Sequence, residues 1–257
     1  MPRFLLWLLA GCISIALTMV AFLPASWLGA IVEKQSAGRL TLGDAQGSLW
    51  RGSAFLGGAA SGNEPVTALL PGRFSWWISP MLFFGQVDVE LQNPSALSQA
   101  IHVKGNWSQW QVSPAAILIG AERLSSLGAP MNTIQPTGQM RLSWQPLQLT
   151  IQHGAIEMNG TIDLQLDDVA SRLSPVRPLG SYNLTVDWNG QQGKLLLKTI
   201  KGAMLLNGSG MLSNGLLQFS GTAQAATGQA EKLANFLNLL GQRRQQGDHE
   251  VIALEFR

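Results

Sequence analysis

The chain is poor in most of what enzymes use. In 257 residues it has one cysteine, one tyrosine and three histidines, and only 12% of its residues are charged, against ~25% in an average soluble domain. Lys and Arg number 17 and Asp and Glu 15, a balance that leaves no electrostatic footprint for nucleic acid. Cys12 lies inside the first apolar run, so the rest of the chain can form no disulfide in any compartment. His102, His153 and His249 are far apart, and none stands at metal-ligand spacing from another His, Cys or carboxylate. G-x-S-x-G, S-x-x-K, G-x-x-x-x-G-K-[ST] and G-x-G-x-x-G are all missing, so nucleophile elbows and phosphate cradles lose their markers. These absences predict a protein that is not an enzyme, with no catalytic residues, cofactor or metal and no identified small-molecule substrate.

What the chain has is apolar surface, 46% of its residues. Phe4 to Leu23 is a run without a charge, and at 1.5 Å per helical residue it covers the ~30 Å of a bilayer core. The run predicts a transmembrane helix. It is longer than the ~7–15 apolar residues of a signal peptide and lacks a clear small-x-small cleavage site. Arg3 ahead of it, with Glu33, Lys34 and Arg39 well behind, favours a cytoplasmic N-terminus. Pro24 stops the helix, and Trp27 is either a headgroup-level anchor or a core residue of the next domain. The expected organisation is a cytoplasmic end and anchor over 1–24, a connector over 25–38, and one β-rich domain over 39–257.

Beyond the connector the period changes to two. Leu40 and Leu42, then Phe74, Trp76 and Ile78, then Val87, Val89 and Leu91 alternate with polar residues; so do Met140, Leu142 and Trp144, then Leu147, Leu149 and Ile151, with Pro146 at an edge or bulge between them. Ile162, Leu164 and Leu166 continue the pattern, as do Leu184, Val186 and Trp188. Four Asn-Gly pairs, at 159, 189, 207 and 214, predict hairpins. Ser113 to Pro130 suits a short helix, Gln229 to Gly241 another, and "GQRRQQGDHE" a helix end and turn before a closing strand. The fold class is mainly β: one transmembrane helix, then a long curved antiparallel sheet of alternating strands with one or two short helices.

Asp163, Asp167 and Asp168 are the one carboxylate cluster, and their alternation with Ile162, Leu164 and Leu166 puts them on a solvated strand side. Eight tryptophans follow the apolar run, and strand spacing assigns most of them to core. Trp76 and Trp77 are adjacent, so in a strand they face opposite ways, and one is left for an interface or a lipid groove.

The order of "PRFLLWLLAG", "LPASWLGA", "LTLGDAQGSLWRGSA", "GRFSWWISPMLFFGQVDVEL", "PTGQMRLSW" and "LANFLNLLGQRRQQGDHEVIALEFR" resembles the protein N family of the bacterial type II secretion system. G-S-L-W-x-G and W-x-x-S-P-x-L-x-x-G are its most specific parts. The resemblance implies a single-pass inner-membrane protein with a periplasmic β-rich domain and no enzymatic activity. Its partners would be other secretion-system components, with membrane lipids around Phe4 to Leu23. In "GDAQGSLWRGSA" it implies a strand, a tight turn and a second strand, with Gly47 and Gly52 at the bends and Trp50 plugging the sheet near its membrane end. Trp76 and Trp77 complete the structural or interaction candidates. A charge-poor curved sheet also admits another role, a tethered groove for lipid or another hydrophobic ligand. An outer-membrane barrel is opposed by the retained apolar run and by the single tyrosine available for aromatic girdles.

Overall fold

A segment that alternates apolar and polar residues can segregate the two only as a strand, whose side chains point to opposite faces in turn. The computed structural model describes residues 2–38, 40–58, 67–123, 135–152, 155–213, 216–246 and 249–256, some positions by their backbone alone. Seventeen strands join in one antiparallel sheet. They are β1 (Leu40–Gly47), β2 (Arg51–Gly58), β3 (Thr67–Ala68), β4 (Phe74–Ile78), β5 (Gln86–Gln92), β6 (Ile101–Asn106), β7 (Gln109–Val112), β8 (Ala115–Gly120), β9 (Pro136–Trp144), β10 (Leu147–Gln152), β11 (Ala155–Ser171), β12 (Gly180–Gly190), β13 (Gln192–Gly202), β14 (Met204–Ser213), β15 (Leu216–Ala225), β16 (Gln242–Gln246) and β17 (His249–Phe256). Helices α1 (Pro2–Ala21), α2 (Ser26–Gln35) and α3 (Ala230–Leu240), a 3-10 turn (Pro80–Phe84) and a short 3-10 stretch after β8, at 121–123, complete the described elements.

Nearly every strand pairs with its neighbour in sequence, which gives a long meander. In the middle two strands break and run end to end: β7 and β8 bend at Ser113-Pro114, β9 and β10 at Gln145-Pro146, and β11 spans both β9 and β10. Proline supplies no ladder donor, so each break falls at a proline. The meander changes only at the end, where β17 inserts between β15 and β16.

The register gathers most of the charged strand residues on one face and most of the large apolar ones on the other, with Phe55, Trp77, Leu196 and Met211 among the apolar exceptions on the charged face. Trp76, Leu91, Ile101, Val112, Leu142, Leu164, Leu184, Leu197, Leu206 and Ala223 fall on one face, and Glu90, Lys104, Arg141, Asp163, Asp187 and Lys198 on the other. Among the described residues, helices cover the apolar face only at the two ends. There α2 lays Ala25 and Leu28 over Leu42, Ala54 and Trp76, and α3 lays Leu233, Phe236 and Leu237 over Tyr182, Met204, Ala223 and Ile252. Each of those α3 side chains contributes ~1.5–3 kcal/mol through burial. Between the helices, the turn after β5 packs Leu97 on Ile101 and Ala115, and buried Asn93 holds that turn by bonding Pro71 O and the N–H groups of Ser95 and Ala96.

The structure corrects several expectations. The composition of Ser113 to Pro130 predicts a helix, but 115–120 is strand β8, paired with β9 residue for residue; Ala115, Ile117 and Ile119 alternate on the apolar face, so the period there is two. Residues 121–123 that follow form one short 3-10 turn, and 124–130 lie outside the described residues. "GQRRQQ", expected as helix end and turn, forms β16 because β17 offers it a ladder. Arg244 accordingly pairs with Glu255 at 2.8 Å rather than with the end of α3. Asn159-Gly160 and Asn207-Gly208 lie inside β11 and β14 rather than at turns. Both glycines serve close approach: a Cβ at 160 would stand 2.7 Å from Leu147 Cδ2, and one at 208 would stand 2.4 Å from Phe219 Cζ. Asn189-Gly190 does open a two-residue hairpin, while 214–215 lies outside the described residues between paired Ser213 and Leu216. The expected connector contains α2. As for α1, its described side chains are exposed, Phe4, Trp7, Leu8 and Met19 among them. Among the described residues no helix is long and apolar enough to cross a membrane.

Candidate functional site

The first hairpin closes at Gly47 opposite Gly52, and the chain reverses through Ser48, Leu49 and Trp50. Ser48 N–H donates to Arg51 O at 2.8 Å and Arg51 N–H to Ser48 Oγ at 3.1 Å. Gly47 takes φ +87°, and a Cβ there would stand 2.4 Å from Arg51 O, so both backbone and space demand glycine. Gly52 faces Trp76 across the β2–β4 ladder. A Cβ at Gly52 would meet the Trp76 ring at 2.4 Å and the carbonyls of Gln46 and Ser48 at 2.8 Å. The space a side chain would fill belongs to the indole.

Trp76 lies over the turn, its Nε1–H donating to Leu49 O at 3.0 Å. Trp50 is buried, 8% exposed, and its Nε1–H donates 2.8 Å to Val20 O in the last turn of α1. Leu49 N–H reaches Leu23 O at 2.7 Å, and Ala25 N–H reaches Gly47 O at 3.1 Å. Within its own segment Val20 O accepts a long 3.4 Å bond from Leu23 N–H; the last carbonyls of a helix run short of partners within it, and the hairpin adds the shorter bond. Phe83, in the 3-10 turn, meets the Trp50 ring edge to face at 5.4 Å and 65°.

The structure thus brings Gly47, Trp50, Gly52 and Trp76 together. Trp77 stands apart, half-buried on the polar face between Arg51 and Glu90 in register. The four clustered residues carry no ionisable group and no nucleophile. What they do is mechanical: they fix the direction in which α1 leaves the sheet.

Two partners of this joint are not legible in the sequence. One is Phe83, although Ser79-Pro80 signals the turn that carries it, with Ser79 Oγ accepting Met81 N–H at 3.3 Å. The other is Arg73, which bonds Ser53 Oγ at 3.0 Å and the Asp44 carboxylate at 2.7 Å, and packs 4.7 Å over the Phe55 ring. The hydrogen bond from Arg73, seconded by one from Gln46, holds the Asp44 carboxyl below its ordinary 3.8. A lowered carboxyl value stabilises the fold above the unfolded value, and that contribution disappears as pH falls through the folded value. The pair is exposed, so its share is small. Asp44→Asn is expected to leave the urea midpoint near wild type at neutral pH and to flatten the decline below pH 3.8, both read by equilibrium unfolding.

Gly52→Ala acts on the packing instead. The methyl meets a buried indole and two carbonyls at once, so we expect it to destabilise by ~1–3 kcal/mol, measured as a shift in denaturant midpoint at unchanged slope.

The carboxylates are already partnered, with Asp168 exposed and Asp163 and Asp167 half-buried. Asp163 accepts from Thr185 at 2.7 Å, Asp167 from Gln165 at 3.0 Å, and Asp168 pairs with Lys201 at 3.2 Å. Among the described residues, no three His, Cys, Asp or Glu side chains are grouped to hold a metal. His153 lies outside the described residues, and His102 sits on the polar face of β6.

No match was found among curated proteins or among solved structures. A family model described as type II secretion system, protein N, matches residues 38–251, from the residue after α2's closing turn into β17. Over that span the match takes in the hairpin of Gly47, Trp50 and Gly52, the strand of Trp76, and the whole meander. The chain belongs to the protein N family of the type II secretion system.

Proposed function

We propose that the protein is a non-catalytic subunit of the secretion apparatus, held in the bacterial inner membrane by α1 with its N-terminus in the cytoplasm. Its sheet would stand in the periplasm to meet other components. The observation that carries this is the joint itself: Trp50 and Leu49 bond the carbonyls of Val20 and Leu23, so whatever holds the apolar run also orients the sheet. The uncharged stretch from Phe4 to Leu23 is ~30 Å as a helix, the thickness of a bilayer core. Among the described residues β1 pairs only with β2 and β16 only with β17, so their outer sides offer N–H and C=O groups to partner chains. Reporters active only in the cytoplasm or only in the periplasm, fused after Arg257, test the topology alongside membrane fractionation. A periplasm-active fusion in the inner-membrane pellet is the expected result. A cytoplasm-active fusion, or a protein in the soluble or outer-membrane fraction, overturns it.

One observation favours a second role, the lipid groove. Between the end helices the apolar face carries no charge, and Leu184, Val186 and Leu195 are half-buried with no helix over them among the described residues. Trp110, on the same face, has a buried Nε1–H with no acceptor among the described residues, a donor suited to a lipid ester carbonyl. A photocrosslinker at Leu195 that captures phospholipid supports this role, and one that captures only protein removes it.

A further inference from the structure

Every turn that joins strands on the α1 side of the first half-sheet shares one physical character. The turns at 48–51, 79–85 and 106–109 are "SLWR", "SPMLFFG" and "NWSQ", and among their residues only Arg51 is charged. Antiparallel pairing places all three at the same end of β1 to β7, the end from which α1 departs. They are knitted together: Phe83 packs on Trp50, and the Trp107 Nε1–H donates to Leu82 O at 2.7 Å.

This end is also where large apolar side chains are left in water. Met81 is 47% exposed, Phe83 55%, Phe84 80% and Trp107 61%. The opposite end of the sheet carries Glu122, Arg123, Asp168, Arg172, Arg177 and Lys201. Contiguous exposed apolar groups mark a contact. Tryptophan with its N–H satisfied and its ring free, beside phenylalanine and one arginine, is the composition of a membrane interface facing anionic headgroups.

We propose that the 3-10 turn and the β6–β7 turn form a second membrane contact, in which Met81, Phe84 and Trp107 enter the headgroup and upper acyl region of the bilayer. The contact deepens the anchoring by α1 and rests on it. A single helix can still tilt in the bilayer and carry the joined sheet with it, whereas a second contact beside the Trp50 joint fixes that tilt and stands the strands up from the bilayer. Adjacent strands are rotated by about 20–25°, so the more distant hairpins turn away and the contact ends near β7.

The test uses the full chain in vesicles of phosphatidylethanolamine and phosphatidylglycerol, with nitroxide spin labels. Cys12 is the natural labelling site for α1; in a Cys12→Ser background, Phe84→Cys or Met81→Cys reports the rim and Leu173→Cys the far end. We expect labels at 84 and 81 to collide with oxygen and to be shielded several-fold from an aqueous nickel chelate, while the label at 173 is open to the chelate. Equal chelate access at 84, 81 and 173 overturns the second contact, even with Cys12 shielded and the anchor intact. Chelate access at Cys12 instead overturns anchoring by α1, whatever the rim labels show. Two rim positions keep the result independent of one ill-folded variant.

Discussion

Tyr182→Ala is expected to remove ~3–5 kcal/mol of stability and to release α3 from the sheet. Tyr182 is 2% exposed and lies beneath Leu233, Phe236 and Leu237, beside Met204 and Ile252. Its hydroxyl donates to Met204 O at 3.0 Å, across the neighbouring strand β13. Truncation to alanine empties the centre of the floor on which α3 rests and leaves its three core residues only the flanking contacts with Met204, Ala223 and Ile252. Loss of helical circular dichroism ahead of sheet signal, together with a lowered denaturant midpoint, is the measurement. Tyr182→Phe separates ring from hydroxyl: it keeps the packing and leaves Met204 O unpaired, for a cost of ~1–3 kcal/mol.

The same residue gives a pH signature. Burial pushes the Tyr182 hydroxyl well above its ordinary 10.0. A group whose value is raised by folding stabilises the folded state below the unfolded value, and that stability is lost as pH rises through the folded value. The fold should therefore weaken above pH 10.0. Because the chain has one tyrosine, phenolate absorbance follows this hydroxyl alone. It should appear together with unfolding, and Tyr182→Phe should reduce the alkaline loss.

The meander is legible in the sequence because alternation is local: Val87, Val89 and Leu91 need no knowledge of their partners to declare one apolar face. The α3 helix is legible for the same reason, with Leu233, Phe236, Leu237 and Leu240 at helical spacing. Sequence and structure part where a long-range pairing decides. Ala115 to Gly120 holds five small or branched apolar residues that satisfy either period, and only β9 settles it. Gln242 to Gln246 has no apolar pattern at all, so its strand exists because β17 lies beside it. Glycine in Asn-Gly has two uses, positive φ and a missing Cβ, and the dipeptide alone does not tell them apart. At the joint, Gly47, Trp50, Gly52 and Trp76 stand out by composition, but the acceptor at Val20 and the ring of Phe83 are tertiary facts.

Trp50→Ala is expected to cost a further ~3–5 kcal/mol and to do something no core truncation elsewhere in the sheet would do. From the first hairpin the residue reaches α1, the 3-10 turn and β4, each through a different atom group: Nε1–H to Val20 O, ring to Phe83, backbone carbonyl to Ile78 N–H at 2.8 Å. The backbone bond survives truncation and the other two do not. The remaining ties between helix and sheet are Leu49 to Leu23 and Ala25 to Gly47, backbone bonds left open to water once the ring is gone. Opening there should expose the Leu23-Pro24-Ala25 link, so limited proteolysis of the membrane-reconstituted chain should cut it before the sheet is attacked, and amide exchange at Leu49 should quicken. Trp50→Phe retains most of the ring contact and forfeits only the bond to Val20 O, about 1 kcal/mol, and should resist that early cut. Equal resistance of Trp50→Ala and wild type to the cut, at equal thermal stability, would show that the indole is not what couples the helix to the sheet. Secretion is then informative in a way stability alone is not. A subunit whose sheet must stand at a fixed tilt loses function when the joint loosens, even at temperatures where Trp50→Ala remains folded.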